Sequence, residues 1–569
     1  MVVAAPPIGS WAAGIVVWVP LASIAATYEP RAAGALGWLQ GVIAQSAIFL
    51  PAVGAMSAAS GTSAWLVAAG TVAVTLFEGA RFGAVALVSA WGRDNGWPFL
   101  ATFPLALAAC LRAFPMMFPW DSSLFFDGAP VLLQTADLAG GSAIDLWCGL
   151  ASASLALALV NVPTRSPLAR LKRGLGLPAC VLLAVIGYGW WCMTREDGRT
   201  RGAPEGTVAI IQGNFTDKQR GDDDALATYR ALTLREQAAH RADLVVWPET
   251  ALSVARRWED LPRFMSTRVL TNIAAVAPSV VRSPVLSGAV VSDTSNGSVD
   301  GEPRLANAAL LATRDEGALQ RYDKQSLVWF AEYLPGEAAL PLLRHAIPWA
   351  GRFEPGAGAR GLRLDGRLIM PMICLEDTLG DRVGADVASI DPDLLVTLTS
   401  DSWFGQSSVP YLHLAIARLR AIEHRRFLVR AANTGVSAVI DPAGRTVAAL
   451  PPFERASGTF SVRWLRGRTP YERFRPWLNV VLGLAAVGMC VTRREPGGLA
   501  LARRCPRRQG AAPTSSAARG QAYPVPSSAG RLQSSAGSDP AASRRTHPQP
   551  RRRPRRTAWR RPSSTSGAG

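Results

Sequence analysis

The feature that most constrains this chain is a run of apolar stretches packed into its first 195 residues. They lie at about 8–28, 33–58, 61–77, 79–91, 97–118, 140–162 and 176–193. Most approach the roughly 20 residues that a helix needs to cross a hydrocarbon core. A buried helical core in a water-soluble protein is the competing reading, but so many spans in succession rarely arise that way. Glu78 and Arg81 interrupt one run, and Pro98, Pro104, Pro115 and Pro119 blur another, so the number of spans stays open. Residues 1–7 carry no basic side chain, so the first stretch does not read as a cleaved signal peptide.

Composition follows from this uneven layout. Hydrophobic residues make up 49% of the 569-residue chain, high for a soluble enzyme, and the excess sits in the first third. The formal charge of +18 is equally local. Residues 493–569 hold 17 arginines against Glu495 and Asp539, a net +15, so the rest of the chain is near neutral. The basic balance thus describes an Arg/Pro/Ser-rich tail that is expected to be disordered and drawn to anionic lipid, not a body that binds nucleic acid.

Charge also orients the spans. The segment 163–174 carries Arg165, Arg170, Lys172 and Arg173 with no acid, which marks it as cytoplasmic. The next span then exits, 195–475 lies outside the cytoplasm, and 478–491 returns to a stop at Arg493-Arg494. The expected organisation is a helical membrane domain at 1–194, an outer domain at 195–475, a last span at 476–492 and a tail at 493–569. The last span looks short enough to need local bilayer thinning.

The outer segment alternates strand-like and helix-like runs. Strands are expected at 207–215, 244–247, 285–291, 306–313, 368–374 and 393–399, with helices near 222–240 and 410–428, and a strand–turn–strand at 437–450. Alternation of this kind indicates an α/β fold. Of seven cysteines, Cys374 is alone in this segment, the others being Cys110, Cys148, Cys180, Cys192, Cys490 and Cys505. A lone thiol can form neither an internal disulfide nor a cysteine-based zinc site. Taken by itself, it reads better as a small buried apolar residue, the commonest fate of a free cysteine.

Its company changes that reading. DLVVWPETAL (243–252) is a strand broken by Pro248 that delivers Glu249. RYDKQSLVWFAEYLPG (321–336) carries Lys324 and Glu332. LIMPMICLED (368–377) delivers Cys374 and Glu376. Acid, amine and thiol at the ends of separate strands can converge, and strand ends are where α/β folds build sites. A carboxylate can take the thiol proton, and an ammonium can hold the oxyanion formed when sulfur attacks a carbonyl.

At these residues the chain resembles the nitrilase, or carbon–nitrogen hydrolase, superfamily, and most closely its integral-membrane branch, the apolipoprotein N-acyltransferases. The WPE motif, the Y-x-K-x-x-L-V-x-F-x-E-x-x-P pattern and I-C-x-E occur in order. DSWFG (401–405) and RAANTGVSAVIDPAGR (430–445) accompany them, and QTADLAGGSAIDLWCG (134–149) resembles the family's membrane part. The match covers roughly 10–490. Two departures stand out: Thr399-Ser400-Asp401 replaces T-N-D, and Lys218-Gln219 stands where Lys-Trp is expected.

The resemblance implies an αββα sandwich and a catalytic triad of Glu249, Lys324 and Cys374, supported by Glu332 and Glu376. It also implies acyl transfer from a phospholipid donor, through a Cys thioester, to the N-terminal amine of a diacylglyceryl lipoprotein. No cofactor, metal or specific nucleic acid is expected. The expected setting is a monomer, embedded among membrane lipids of a bacterial inner membrane, with its catalytic domain periplasmic. Two other readings remain open. One is a membrane-bound amidase, or an acyltransferase for a different amine. The other is a binding protein on a degenerate nitrilase fold.

Other polar residues carry blander expectations. His413 and His424 lack the spacing of a zinc helix and are taken as structural. Asp222-Asp223-Asp224 reads as a helix N-terminus, and Gly435 and Gly444 as turn residues. The long connection 334–361 is apolar and holds Arg344 and Arg352, as a lid resting on lipid would, with Gly336, Gly351 and Gly356 as hinges. Packing beneath the domain as a satellite core is its alternative.

Overall fold

The computed structural model describes residues 1–160, 167–216, 223–257, 283–299, 302–313, 319–337, 339–347 and 350–493. Arg165, Lys218, Gln219, Asp222, Trp349 and the tail from 494 fall outside these residues, as do the side chains of Arg170, Lys172, Arg173 and Leu343.

Five helices are long and apolar enough to cross a membrane: Pro30–Ser60, Ala64–Asp94, Gly141–Val160, Gly174–Arg201 and Pro470–Val491. Trp11–Thr27 and Phe99–Ala113 are shorter apolar helices. The stretches 61–77 and 79–91 are one helix of 31 residues, so Glu78 and Arg81 do not end it. Both are buried and paired. Glu78 accepts hydrogen bonds from Gln45 Nε2 at 2.8 Å and from the Met117 amide at 3.0 Å. The Arg81 guanidinium lies 3.7 Å from the centroid of the Trp120 ring and donates to the Trp120 carbonyl. Paired in this way, polar groups can sit within an apolar helix without breaking it. That helix packs along Pro30–Phe49 through glycines; a Cβ on Gly41 would come within 2.6 Å of the Gly79 carbonyl oxygen.

The last span is also longer than its sequence suggested. It starts at Pro470, capped by the Thr469 hydroxyl, and runs for 22 residues. At 1.5 Å per residue that is about 33 Å, of which the first turn, with Tyr471 and Glu472, packs against the outer domain. The helix that leads into the outer domain likewise continues past residue 194 to Arg201.

The outer domain is a two-sheet sandwich. In the first sheet the strand order is Ala456–Arg463, Glu205–Gln212, Leu244–Val246, Val285–Val299, Glu302–Ala312, Gln320–Asp323, with Leu252–Arg257 also paired to Val285–Val299. In the second it is Thr446–Ala449, Ala438–Ile440, Leu428–Ala432, Leu394–Thr399, Arg367–Ile373, Leu362–Leu364. Strand periodicity sorts the side chains between faces. Ile369 and Ile373 point into the inter-sheet core with Val208, Ile210, Val246 and Val396. Met370 and Met372 point outward, beneath Val383, Val387, Leu414 and Ala417 of two covering helices. The other sheet is covered by Asp223–Ala239 through Ala225 and Tyr229. Helix, sheet, sheet, helix is the αββα order.

The helix Val409–His424 joins the two halves. Leu414, Ala417 and Ala421 pack on the second sheet, while Leu412, Ile416, Leu419 and Ile422 enter the core of the membrane helices. Fifteen of its 16 residues are buried, so its arginines cannot reach water and are paired instead. Arg425, just past its end, donates to Asp137 Oδ2 at 2.6 Å and to Gln134, both in the 134–149 motif. Arg426 pairs with Asp391 and with Glu472 at the start of the last span. His424 sits 3.1 Å from the same Glu472 and stays structural.

Candidate active site

Three strand ends and one return loop meet at Cys374. The strand Arg367–Ile373 stops one residue before the cysteine, which opens a tight 3-10 turn through Thr378. Cys374 has φ +52°, a left-handed conformation that costs a non-glycine residue roughly 1 kcal/mol or more and persists only where neighbours enforce it. Glu376 is one enforcer. Its Oε2 accepts from the Ile373 amide at 2.8 Å, immediately before the cysteine.

Glu376 also holds the lysine segment. Oε2 accepts from the Tyr322 hydroxyl at 2.8 Å, and Oε1 accepts from the amides of Gln325 at 2.7 Å and Ser326 at 3.1 Å. Four donors converge on one buried carboxylate. Burial pushes its proton affinity up, and these donors and Lys324 oppose the shift.

Lys324 follows the short edge strand and is buried. Its amide donates to the Asn307 carbonyl at 2.8 Å. Its Nζ lies 2.9 Å from Glu332 and 3.3 Å from Glu249 Oε1. Burial alone would lower its pKa, but the two carboxylates outweigh it and hold the group well up, as an ammonium. Asn307 completes the cluster, donating from Nδ2 to Glu249 Oε1 at 2.8 Å and to Glu332 Oε1 at 2.9 Å. The two acids are not engaged alike. Glu332 is held through both oxygens, Oε2 also accepting from the Val328 amide, whereas the bonds found for Glu249 end on Oε1.

Glu249 owes its position to a glycine. The turn Pro248–Thr250 presses onto the next strand, where a Cβ on Gly288 would lie 2.6 Å from the Glu249 Cα and 2.5 Å from the Pro248 carbonyl oxygen. Only glycine admits that approach. Behind it, Trp247 stacks on Tyr229 and donates to Thr233, which fixes the strand end.

The thiol of Cys374 is half-buried within this set. Burial and the Glu249 carboxylate push it well above its ordinary value, with Lys324 opposing. A thiol so placed rests protonated and needs a base to become a nucleophile. Among the described residues, no group of three or more His, Cys, Asp or Glu is arranged to hold a metal ion.

All five sequence candidates therefore fall in one connected region. Asn307, Gly288 and Tyr322 were missed. Asn307 did leave a trace: a polar side chain inside the apolar strand run LANAALL is buried only when something partners it. Of the proposed hinges, Gly351 and Gly356 are anchors. The Gly351 amide donates to the Ala331 carbonyl and the Gly356 amide to the Lys324 carbonyl, and a Cβ on Gly356 would collide with Asp323. Gly336, at φ +78° with open space around it, is a turn. Beyond it Leu340 and Leu342 are 51% and 71% exposed, which removes them from any satellite core.

Comparison with known proteins identifies the family. The carbon–nitrogen hydrolase family pattern matches residues 207–462. The chain is 30% identical to an apolipoprotein N-acyltransferase of Geobacter metallireducens over 84% of its own length and 91% of that protein's. It is 32% identical to one from Azotobacter vinelandii, over 72% and 76%. Among solved structures, the carbon–nitrogen hydrolase XC1258 of Xanthomonas campestris is 21% identical, with a TM-score of 0.33, over 49% of this chain and 97% of that one. Apolar helices, αββα sandwich and near full-length likeness together place this chain in the apolipoprotein N-acyltransferase family, acyltransferases built on the carbon–nitrogen hydrolase fold.

Proposed function

We propose that the chain transfers a fatty acyl group from a phospholipid to the free N-terminal amine of a diacylglyceryl-cysteine lipoprotein, with Cys374 as the covalent carrier. The observation that carries this reading is the buried, hydrogen-bonded cluster of Glu249, Lys324, Glu332 and Asn307 beside the Cys374 thiol. In the first half-reaction Glu249 takes the Sγ proton as sulfur attacks the ester carbonyl. The tetrahedral oxyanion is held by the Lys324 ammonium and the Leu375 amide. The C–O bond then breaks, and the proton passes from Glu249 to the departing lysophospholipid oxygen.

In the second half-reaction the lipoprotein amine attacks the thioester while Glu249 takes its proton. The C–S bond breaks, and the thiolate recovers that proton from Glu249. Glu332, engaged through both oxygens, keeps Lys324 in place. The bonds of Glu376 go to the lysine segment and the end of the nucleophile strand, which supports a role in orienting Lys324 and gives none toward the acceptor.

The basic segment 163–174 and Arg493-Arg494 support a cytoplasmic position for those ends, hence a periplasmic catalytic domain in a bacterial inner membrane. The exposed Trp329, Phe330, Leu340 and Leu342 support a catalytic face that rests on the outer leaflet.

The test is a two-stage mass measurement on the purified protein. Phospholipid alone should add one acyl mass to Cys374 and release lysophospholipid, and a diacylglyceryl peptide should then discharge it to amide. Release of free fatty acid without an acceptor would favour the amidase reading instead, and no adduct at all would end the covalent mechanism.

A further inference from the structure

A second charged cluster lies on the other side of the nucleophile. Asp377 stands in the same tight turn as Cys374, three residues on. Asp401 follows the strand parallel to the nucleophile strand, Arg430 occupies the next strand opposite Thr397, and His413 comes from the helix that joins the two halves. The four side chains close a ring. His413 Nε2 lies 2.9 Å from Asp377 Oδ1, and its Nδ1 lies 2.8 Å from Asp401 Oδ1. Arg430 spans the remaining gap, 2.6 Å to Asp377 Oδ2 and 3.2 Å to Asp401 Oδ2. All four are buried.

The geometry sets the protonation. An imidazole with a carboxylate oxygen on each nitrogen satisfies both only by donating from both, which makes it an imidazolium. The ring then holds two negative and two positive charges and is neutral. Two further features mark it as built. Gly435, at φ +97°, leaves room for Asp401, since a Cβ there would lie 2.4 Å from Oδ2. Phe118 from the membrane half packs edge-on with the imidazole, ring centroids 5.2 Å apart.

We infer that Asp377, His413, Asp401 and Arg430 form a charge-balanced pedestal that positions Cys374 and sets how readily its thiol gives up a proton. The inference rests on reading Cys374 as the nucleophile. The charged groups that act on the thiol are Glu249, Lys324 and Asp401, the Thr399 side chain favours its ionised form, and Arg430 also senses its charge. His413 is faced by Asp377, Asp401 and Arg430. Burial and Arg430 pull His413 down, yet the two carboxylates raise it to about 9, in keeping with its doubly donating geometry. Removing one positive member leaves the pedestal net negative and should make the thiol harder to ionise. Removing one negative member should do the opposite. A scaffold that only held the fold together would impair both variants in the same direction.

The experiment measures the rate of Cys374 carboxamidomethylation by iodoacetamide against pH, by peptide mass, in the full chain in detergent. His413→Gln should slow the reaction about tenfold at a fixed mildly alkaline pH, and Asp377→Asn should speed it by a similar factor, the scale of one unit charge in a buried site. The double variant Asp377→Asn/His413→Gln, neutral again, should return close to wild type. Acyl-adduct formation in His413→Gln should lose kcat with little change in KM. Equal rates in all variants, or shifts of the same sign in both single variants, overturn the pedestal. If His413→Gln fails to fold, Asp377→Asn decides alone: a slower or unchanged thiol refutes the idea. Alkylation does not need lipid, so a thiol that follows these shifts but never takes an acyl mass would refute the nucleophile reading and leave the pedestal standing.

Discussion

Two buried charged clusters flank Cys374, and they are built on opposite plans. On one side Glu249, Glu332 and Lys324 bring two carboxylates to one ammonium, with Asn307 supplying neutral donors. On the other side Asp377, Asp401, His413 and Arg430 form a closed ring in which each charge has an opposite on either hand. Buried charge is tolerated only when paired and hydrogen-bonded, and every charge of the ring is paired, although Arg430 Nε finds no acceptor among the described residues. The acid–lysine cluster brings two carboxylates to one ammonium, and among the described residues the bonds to the Glu249 side chain end on Oε1. An incompletely committed carboxylate beside a thiol is a poor stabiliser and a serviceable base. Within one small region the uneven cluster is suited to moving protons and the even one to staying still.

That contrast can be broken most severely at its centre. Cys374→Ala should abolish the acyl adduct and transfer, and Cys374→Ser should lose nearly all activity because a hydroxyl is far harder to deprotonate. Intact-mass measurement after incubation with phospholipid decides it. Next, Lys324→Arg and Glu249→Gln should each cost on the order of a hundredfold or more in adduct formation. The larger, planar guanidinium cannot occupy the place of an Nζ held between two acids. Detergent-solubilised variants should still melt cooperatively, and a rate within a few-fold of wild type in either would reassign the roles.

Glu376→Gln tests positioning. An amide in its place puts a donor among four converging donors, which leaves buried groups unpaired at about 1–3 kcal/mol each. Both the melting temperature and the rate should fall, the rate less than in Glu249→Gln. If only the rate falls, to the level of Glu249→Gln, then Glu376 touches substrate.

The smallest expected effect separates the ring from the acid–lysine cluster by pH. His413 is raised in the folded protein from its usual value near 6.5 to about 9. Its contribution is therefore complete below about pH 6.5 and fades as pH rises through about 9. Melting temperature should decline over that window in the wild type and decline less in Asp377→Asn/His413→Gln. Parallel declines in the two proteins would mean that the ring histidine does not titrate there.

How much of this was legible beforehand differs between the two clusters. Glu249, Lys324, Cys374 and Glu376 stand at or just beyond strand ends and Glu332 in the loop that follows, each within a short motif, and the resemblance of those motifs to the nitrilase superfamily brought them together. Asp377, Asp401 and Arg430 stood in quoted motifs, but nothing local tied them to one another or to His413. They come from a turn, a strand end, a helix and a strand interior spread over some fifty residues, and His413 looked structural because its spacing excluded zinc. Similarly, Glu78 and Arg81 suggested a break in an apolar run. Only their pairing with Gln45, Met117 and Trp120, supplied by other segments, lets the helix continue.

The sequence by itself determined the apolar first third, the alternating α/β segment and the order of acid, amine and thiol, because these depend on periodicity and on residue chemistry read within a few positions. The tertiary structure alone decided which charges are balanced. Asn307 holds two acids from different loops, Gly288 admits the Glu249 turn, and Phe118 packs against the ring histidine from the membrane half. Electrostatic balance in a buried site depends on distance through space, and distance along the chain carries almost no record of it.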